Sequence, residues 1–215
     1  MNTLYSLPHS PYSARCRIAV YHKNIDVDIQ PPTGGLRSEE YRAIVPTKKV
    51  PALITDQATL VESCAILDYL EDCFPEIPLR ASSATGRAIQ RSLISFLDFS
   101  IAPHIFPLFK ATLTNADPES LQSTISTLQK NLSALEELFL REGRDQNDLD
   151  MADCALIPSL FYAVFLLEKM SLEPLFAHTP TLQSWWDHKI QTPSVIKVLG
   201  EIETGLNHFL NSKRS

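Results

Sequence analysis

The sequence predicts an α/β unit followed by an all-helical one, and three observations carry that reading. Up to residue 73, short apolar segments of strand length alternate with segments of helical length. Phe74-Pro75-Glu76-Ile77-Pro78 then sets two prolines where a helix would otherwise continue. Beyond that break, nearly all apolar residues recur at spacings of three and four. The division falls as residues 1–76 and 84–215. An order of β-α-β and then β-β-α in the first part makes a small sheet with helices on its faces.

The first strand is Thr3 to Ser6. Ser10-Pro11 opens a helix that runs through Val20, with serine at the N-cap and proline at the first helical position, where its missing N–H has no intrahelical partner in any case. Ile25 to Ile29 is extended, and Gln30-Pro31-Pro32-Thr33-Gly34-Gly35 is too rich in proline and glycine to be regular. A short helix at Ser38 to Ala43 precedes a strand Pro51-Ala52-Leu53-Ile54, a turn at Thr55-Asp56-Gln57 and a strand Thr59-Leu60-Val61. A helix from Ser63 to Asp72 closes the unit. In the second part a helix from Ala84 to Leu113 meets Pro103 and Pro107, which should kink it. Asp117-Pro118 starts the next helix, whose Leu121, Ile125, Leu128, Leu132, Leu135 and Phe139 form one apolar face. A mostly polar loop, Arg141 to Asp148, leads into a helix from Met151 to Lys169. Thr179-Pro180 caps another, and two shorter helices finish the chain near Leu210.

With 215 residues, 44% of them hydrophobic, the chain can bury a sizeable core. A formal net charge of -6, with Lys and Arg scattered, argues against a basic face for nucleic acid or an acidic membrane. The longest apolar stretch, Ala155 to Leu167, reads as too short to span a bilayer, and Met1 to Pro8 has no basic head before an apolar run. A cytoplasmic protein is expected. The four cysteines, Cys16, Cys64, Cys73 and Cys154, show neither Cys-x-x-Cys nor metal-ligand spacing, so buried free thiols and no metal are expected.

Three motifs in the first part carry chemistry. Ser10 caps a helix whose free amides and positive dipole end can hold a thiolate or carboxylate; taken alone, it reads as a cap. Lys49-Val50-Pro51-Ala52-Leu53 puts proline into a strand, which a central ladder does not accept. One resolution is a cis Val50-Pro51 bond that turns the Val50 backbone outward, where an extended ligand pairs with it as an added strand. Glu62-Ser63 opens the next helix, and there Ser63 is either an ordinary N-cap or, with Glu62, a holder of an α-amino-acid end, amides on the carboxylate and Glu62 on the ammonium.

In that order, Ser10-Pro11-Tyr12-Ser13-Ala14-Arg15-Cys16-Arg17-Ile18-Ala19, Lys49-Val50-Pro51-Ala52-Leu53, Leu60-Val61-Glu62-Ser63-Cys64-Ala65-Ile66-Leu67-Asp68-Tyr69-Leu70 and Met151-Ala152-Asp153-Cys154-Ala155-Leu156 resemble the cytosolic glutathione transferase family, serine-type, over nearly the whole chain. The resemblance implies a thioredoxin-like glutathione-binding domain at 1–76, an all-α domain at 84–215 that contributes the electrophile pocket, and a homodimer. It implies glutathione as co-substrate, with Ser10 on the sulfur, Val50 before a cis Pro51 on the cysteinyl backbone, Glu62 and Ser63 on the γ-glutamyl end, and Lys49 on the glycyl end. Arg37 is a weaker candidate for the glycyl end, and Ser13 is the alternative sulfur contact. Tyr12, Phe106 and Phe109 are candidates for the electrophile pocket, although such residues are more often simply core. Asp150 and Asp153 read as structural, a cap and a carboxylate three residues on that bonds back to it.

The implied reaction follows from thiol chemistry. A free thiol with pKa near 8.5 is mostly protonated at neutral pH, and the thiolate is the nucleophile. Ser10 then donates a hydrogen bond to the thiolate and is not itself a nucleophile. Val45-Pro46-Thr47-Lys48 and Asp150 depart from the family's usual residues, and Pro11-Tyr12 departs from the Ser-Ser-Cys-Ser turn of maleylacetoacetate isomerases. The alternatives are a non-catalytic binding or regulatory protein of the same fold and a glutathione-dependent isomerase or dehalogenase.

Overall fold

Four strands of three residues each, β1 (Thr3–Tyr5), β2 (Asp28–Gln30), β3 (Ala52–Ile54) and β4 (Thr59–Val61), form one sheet in the order β2-β1-β3-β4. The computed structural model describes residues 2–114, 116–142 and 148–214. β1 and β2 are parallel, and β3 runs antiparallel to both β1 and β4. The register places Gln30, Tyr5, Ala52 and Val61 in one row across the sheet. The chain therefore leaves β1, β2 and β4, and enters β3, at the same end of the sheet. Thr55 closes the β3–β4 hairpin, its hydroxyl accepting from the amides of Gln57 and Ala58 at 3.2 and 2.9 Å.

Helices α1 (Pro11–His22), α2 (Glu39–Ile44) and α3 (Ser63–Cys73) cover this sheet. Tyr5, Tyr41, Val45 and Ala52 form a buried cluster under α2, with the Tyr5 and Tyr41 rings edge to face at 5.2 Å. The second strand is shorter than the predicted Ile25 to Ile29, because the Ile25 amide turns back to Val20 O at 2.9 Å and Asn24 takes φ 54 to end α1. Gly34 and Gly35 take φ 68 and 97 in the loop after β2, a conformation that suits glycine. The segment after α3 is latched by a buried ion pair, since Lys23 Nζ lies 2.7 Å from Glu71 and also donates to Phe74 O and Ile77 O. Burial alone would raise the Glu71 carboxyl, but Lys23 and the amides of Leu79 and Arg80 outweigh it and hold the group below its ordinary range.

The described chain divides into two compact units, 1–80 with Pro193–Phe209, and Ala81–Thr192 with the residues from Leu210 on. The second is built from α4 (Ala84–Phe96), α5 (Ala102–Thr114), α6 (Gln122–Glu142), α7 (Met151–Lys169) and α8 (Pro180–Lys189). Between α4 and α5 the helix widens into a π-turn at Leu97–Ile101, where Ala102 N–H donates to Leu97 O. The break from α geometry thus falls just ahead of Pro103, and α5 carries Pro107 inside it. Asp117 caps a 3₁₀ turn, Pro118–Leu121, before α6. Of the loop expected at Arg141 to Asp148, residues 143–147 lie outside the described residues.

Three further expectations are corrected. Thr179 does not cap α8 through its hydroxyl; Glu136 of α6 accepts from the amides of Thr181 and Leu182, both at 2.8 Å. The chain ends not in two shorter helices but in one of 22 residues, α9 (Pro193–Arg214), which runs through Gly200 and Gly205. With its flanking Met151–Cys154 turn, the apolar helix α7 reaches 19 residues and is long enough to cross a membrane, as is the apolar stretch Ala84–Thr114. Yet 83% of its apolar window is buried inside the protein, which makes α7 a core helix.

Candidate functional site

The shared sheet end gathers the three motifs of the first unit, because the loop to Ser10 leaves β1 there, Val50-Pro51 enters β3 there and Glu62-Ser63 leaves β4 there. Ser10 is the N-cap of α1 and sits half-buried at its tip. Its hydroxyl accepts from the Ser13 amide at 3.2 Å, and its own amide donates to Leu7 O at 3.0 Å. A hydroxyl that accepts in this way still has its one proton to donate. That proton, at the positive end of a 12-residue helix, suits an anionic partner. Ser13 is fully buried, and its hydroxyl finds no hydrogen-bond partner among the described residues.

The Val50-Pro51 bond is cis, as the family resemblance implies. Val50 lies outside the ladder, which begins at Ala52, and packs its side chain against the Tyr5–Tyr41 cluster. The segment is pinned by the Tyr41 hydroxyl, which donates to Lys49 O at 2.7 Å, while the Lys49 side chain is exposed. Burial, with Tyr5 beside it, pushes the Tyr41 phenol up to about 12, so it stays a donor. Arg37 is exposed on the Gly34-Gly35 loop, and its carbonyl accepts from Lys48 Nζ at 3.4 Å.

Glu62, not Ser63, is the N-cap of α3, with φ 69 and ψ 119 and no side-chain hydrogen bond into the helix. An exposed glutamate held at positive φ is a strained arrangement of the kind that clusters at ligand clamps. The first amides of α3, beside it, have no acceptor inside the helix. Ser63, the first helical residue, is buried, and its carbonyl lies 3.8 Å from Cys16 Sγ. Burial pushes the Cys16 thiol far up, so it is inert as a nucleophile; Cys154 is buried too, but Cys64 is half-buried and Cys73 exposed, so the expected burial holds for only two of the four. Among the described residues no group of three His, Cys, Asp or Glu is placed to hold a metal ion.

Of the aromatic candidates, Tyr12 is 44% exposed, with the Arg15 guanidinium 4.6 Å from its ring centre. In the second unit Phe106 is 68% exposed, and Phe109 packs on Tyr162 with ring centres 6.4 Å apart. Asp150 and Asp153 form a reciprocal capping box on α7, at 2.8 and 3.1 Å. Asp153 is fully buried and also takes the Trp185 indole N–H at 2.9 Å and Lys189 Nζ at 3.0 Å. Sequence reasoning missed Tyr41, Arg17 and Lys189. The signal for Arg17 was a charged side chain amid the apolar residues of α1.

Fold and site together define a small mixed sheet with a hydroxyl-tipped helix, followed by a helical region. A family model for the glutathione S-transferase N-terminal domain matches residues 4–78. Maleylacetoacetate isomerase of Mus musculus is 32% identical over 185 residues, 81% of this chain and 84% of that protein. Glutathione S-transferase Z2 of Arabidopsis thaliana is 28% identical over 199 residues, 89% of this chain and 87% of that protein. The Tau class glutathione S-transferase MiGSTU from mango shares the fold with a TM-score of 0.82 at 22% identity, each chain covered to 96%. The chain belongs to the glutathione S-transferase family.

Proposed function

We propose that the chain binds glutathione on residues 1–76, stabilises its thiolate through Ser10 and adds that thiolate to a small apolar electrophile, with residues 84–215 contributing the electrophile pocket. The observation that carries this is the Ser10 hydroxyl, fixed as an acceptor by the Ser13 amide and left to donate, at the sheet end shared with Val50-Pro51 and Glu62-Ser63. Val50, outside the ladder, pairs with the cysteinyl backbone; Glu62 takes the γ-glutamyl ammonium and the α3 amides its carboxylate; Lys49, with Arg37 in support, meets the glycyl end. Lowering a thiol pKa by about two units takes roughly 2.7 kcal/mol of preference for the thiolate. A charge-assisted hydrogen bond and a helix N-terminus are of that order.

A second reading, glutathione-dependent isomerisation, is favoured by the mouse relative's name. It shares the first step, since a thiolate that adds to an activated double bond leaves a single bond free to turn, and expulsion of the thiolate restores the alkene and the cofactor. We place the chain in the cytoplasm as a homodimer, and Phe99, 83% exposed on the apolar stretch Ala84–Thr114, supports a face covered by a second copy.

The test is retention on immobilised glutathione, followed by turnover of a chloronitrobenzene-type acceptor and of a cis-enoyl diacid. Ser10→Ala should lower either rate by on the order of a hundredfold, the usual effect of losing a donor to negative charge, and Ser13→Ala should do much less. Tight binding with no turnover of either substrate would favour a non-catalytic binding protein.

A further inference from the structure

Helix α9 carries a stripe at four-residue spacing, and each member of it meets α1 or the loop that delivers Ser10. Lys197 Nζ stands 3.5 Å from the centre of the Tyr21 ring. Glu201 accepts from the Tyr21 hydroxyl at 2.9 Å and pairs with Arg17 Nε at 2.9 Å. Gly205 touches the loop itself, because a Cβ there would lie 2.9 Å from both His9 N and Pro8 Cβ. Phe209 packs on the His9 ring with centres 4.9 Å apart. Residues at this spacing share one helix face.

Arg17 connects the stripe to the loop. Its guanidinium is buried and donates to Ser6 Oγ at 2.7 Å, Leu7 O at 2.9 Å and Pro8 O at 2.8 Å, three consecutive residues just ahead of Ser10. The Leu7 carbonyl is also the acceptor for the Ser10 amide. A planar fork with fixed donors suits this task, and an ammonium does not. Burial, with Arg17 and His208 nearby, lowers the pKa of His9, so that ring contributes packing more than charge.

We propose that the α9 stripe, acting through Glu201 on Arg17 and through the direct contact of Gly205 with Pro8 and His9, sets the position of the Ser10 hydroxyl, which makes Arg17, Glu201 and Gly205 positioning residues for the thiolate. The proposal rests on the reading of Ser10 as the thiolate's donor. Two glycines of one helix supply the experiment. Gly205→Ala drives a methyl group into loop backbone, whereas a Cβ at Gly200 meets nothing within 4 Å. Alanine favours the helix at both positions.

Gly205→Ala should lower the conjugation kcat by about ten- to a hundredfold, the scale on which a misplacement of about 1 Å acts. Its KM for glutathione should stay within about threefold of wild type, and the bound thiol should ionise about one pKa unit higher. Gly200→Ala should match wild type throughout. Arg17→Lys, which keeps the charge and loses the fork, should repeat the Gly205→Ala pattern, and Glu201→Gln carries this arm if the lysine variant does not fold. Amide exchange at Ser10 and Ser13 should accelerate in Gly205→Ala and not in Gly200→Ala.

Wild-type kcat and thiol ionisation in a folded Gly205→Ala protein would overturn the proposal. If the wild-type complex itself ionised like free glutathione, the transferase reading would fall instead. The exchange pattern would then decide by itself whether α9 holds the loop.

Discussion

Replacing Asp153 by alanine should destabilise the chain severely without touching its chemistry. The carboxylate is fully buried and satisfies three donors, the Asp150 amide, the Trp185 indole N–H and Lys189 Nζ. Its cationic partner is as deeply buried, with 1% of the Lys189 side chain exposed. Lys189 Nζ also donates to Asp148 O, which does not neutralise it. Removing one partner of such a pair strands the other charge, at a cost of about 3–5 kcal/mol. In a chain of this length each kcal/mol moves the midpoint by roughly 2–4 °C, so Tm should fall by about 6–20 °C. Asp153→Asn keeps the shape and one acceptor and should fall between. Combining Asp153→Ala with Lys189→Met removes the stranded ammonium and should recover more than half of the loss. Thermal unfolding followed by circular dichroism, with turnover measured well below the transition, checks all three variants. An unchanged Tm with lost turnover would refute the structural role and put Asp153 in the active site.

The Glu71–Lys23 latch should make part of the stability acid-labile. Its folded pKa lies below the ordinary 4.5, so the contribution is fully present above that value and is lost as pH falls through the lower folded one. Urea unfolding of wild type and Glu71→Gln should therefore show a gap at pH 7 that closes toward pH 3, and a gap independent of pH would contradict the assignment. Sedimentation should give a species of about twice 24.1 kDa, and a monomer alone would remove the homodimer.

What was readable in the sequence was local. Ser10-Pro11, a proline at the head of a strand and Glu62-Ser63 each declare a chain turn within a few residues, and the sheet register then brings those turns to one end. The capping box at Asp150 and Asp153 is equally local. What escaped depends on partners far along the chain. Arg17 shows in the sequence only as a charge amid the apolar residues of α1, and its partners, Glu201 and the Ser6–Pro8 loop, come together only in the fold. Thr179-Pro180 looks like a complete cap, yet Glu136 of α6 supplies the acceptor. Ser63 looks like the cap of α3, but Glu62 holds that place at a positive φ that no spacing of residues announces. The two short helices expected near Leu210 are one helix, α9, which runs through Gly200 and Gly205, and Gly205 serves a close approach to Pro8 and His9 that no local pattern announces.

Whether Ser10 activates glutathione is decided by the ionisation of the thiol in the binary complex. Thiolate absorbance followed against pH should give an apparent pKa between about 6 and 7.5, one to two units or more below the free thiol's value near 8.5. Ser10→Ala should move it back toward that value, because the donor favours the anion over the neutral form. A wild-type complex that ionises like free glutathione, however tightly it binds, would contradict the mechanism.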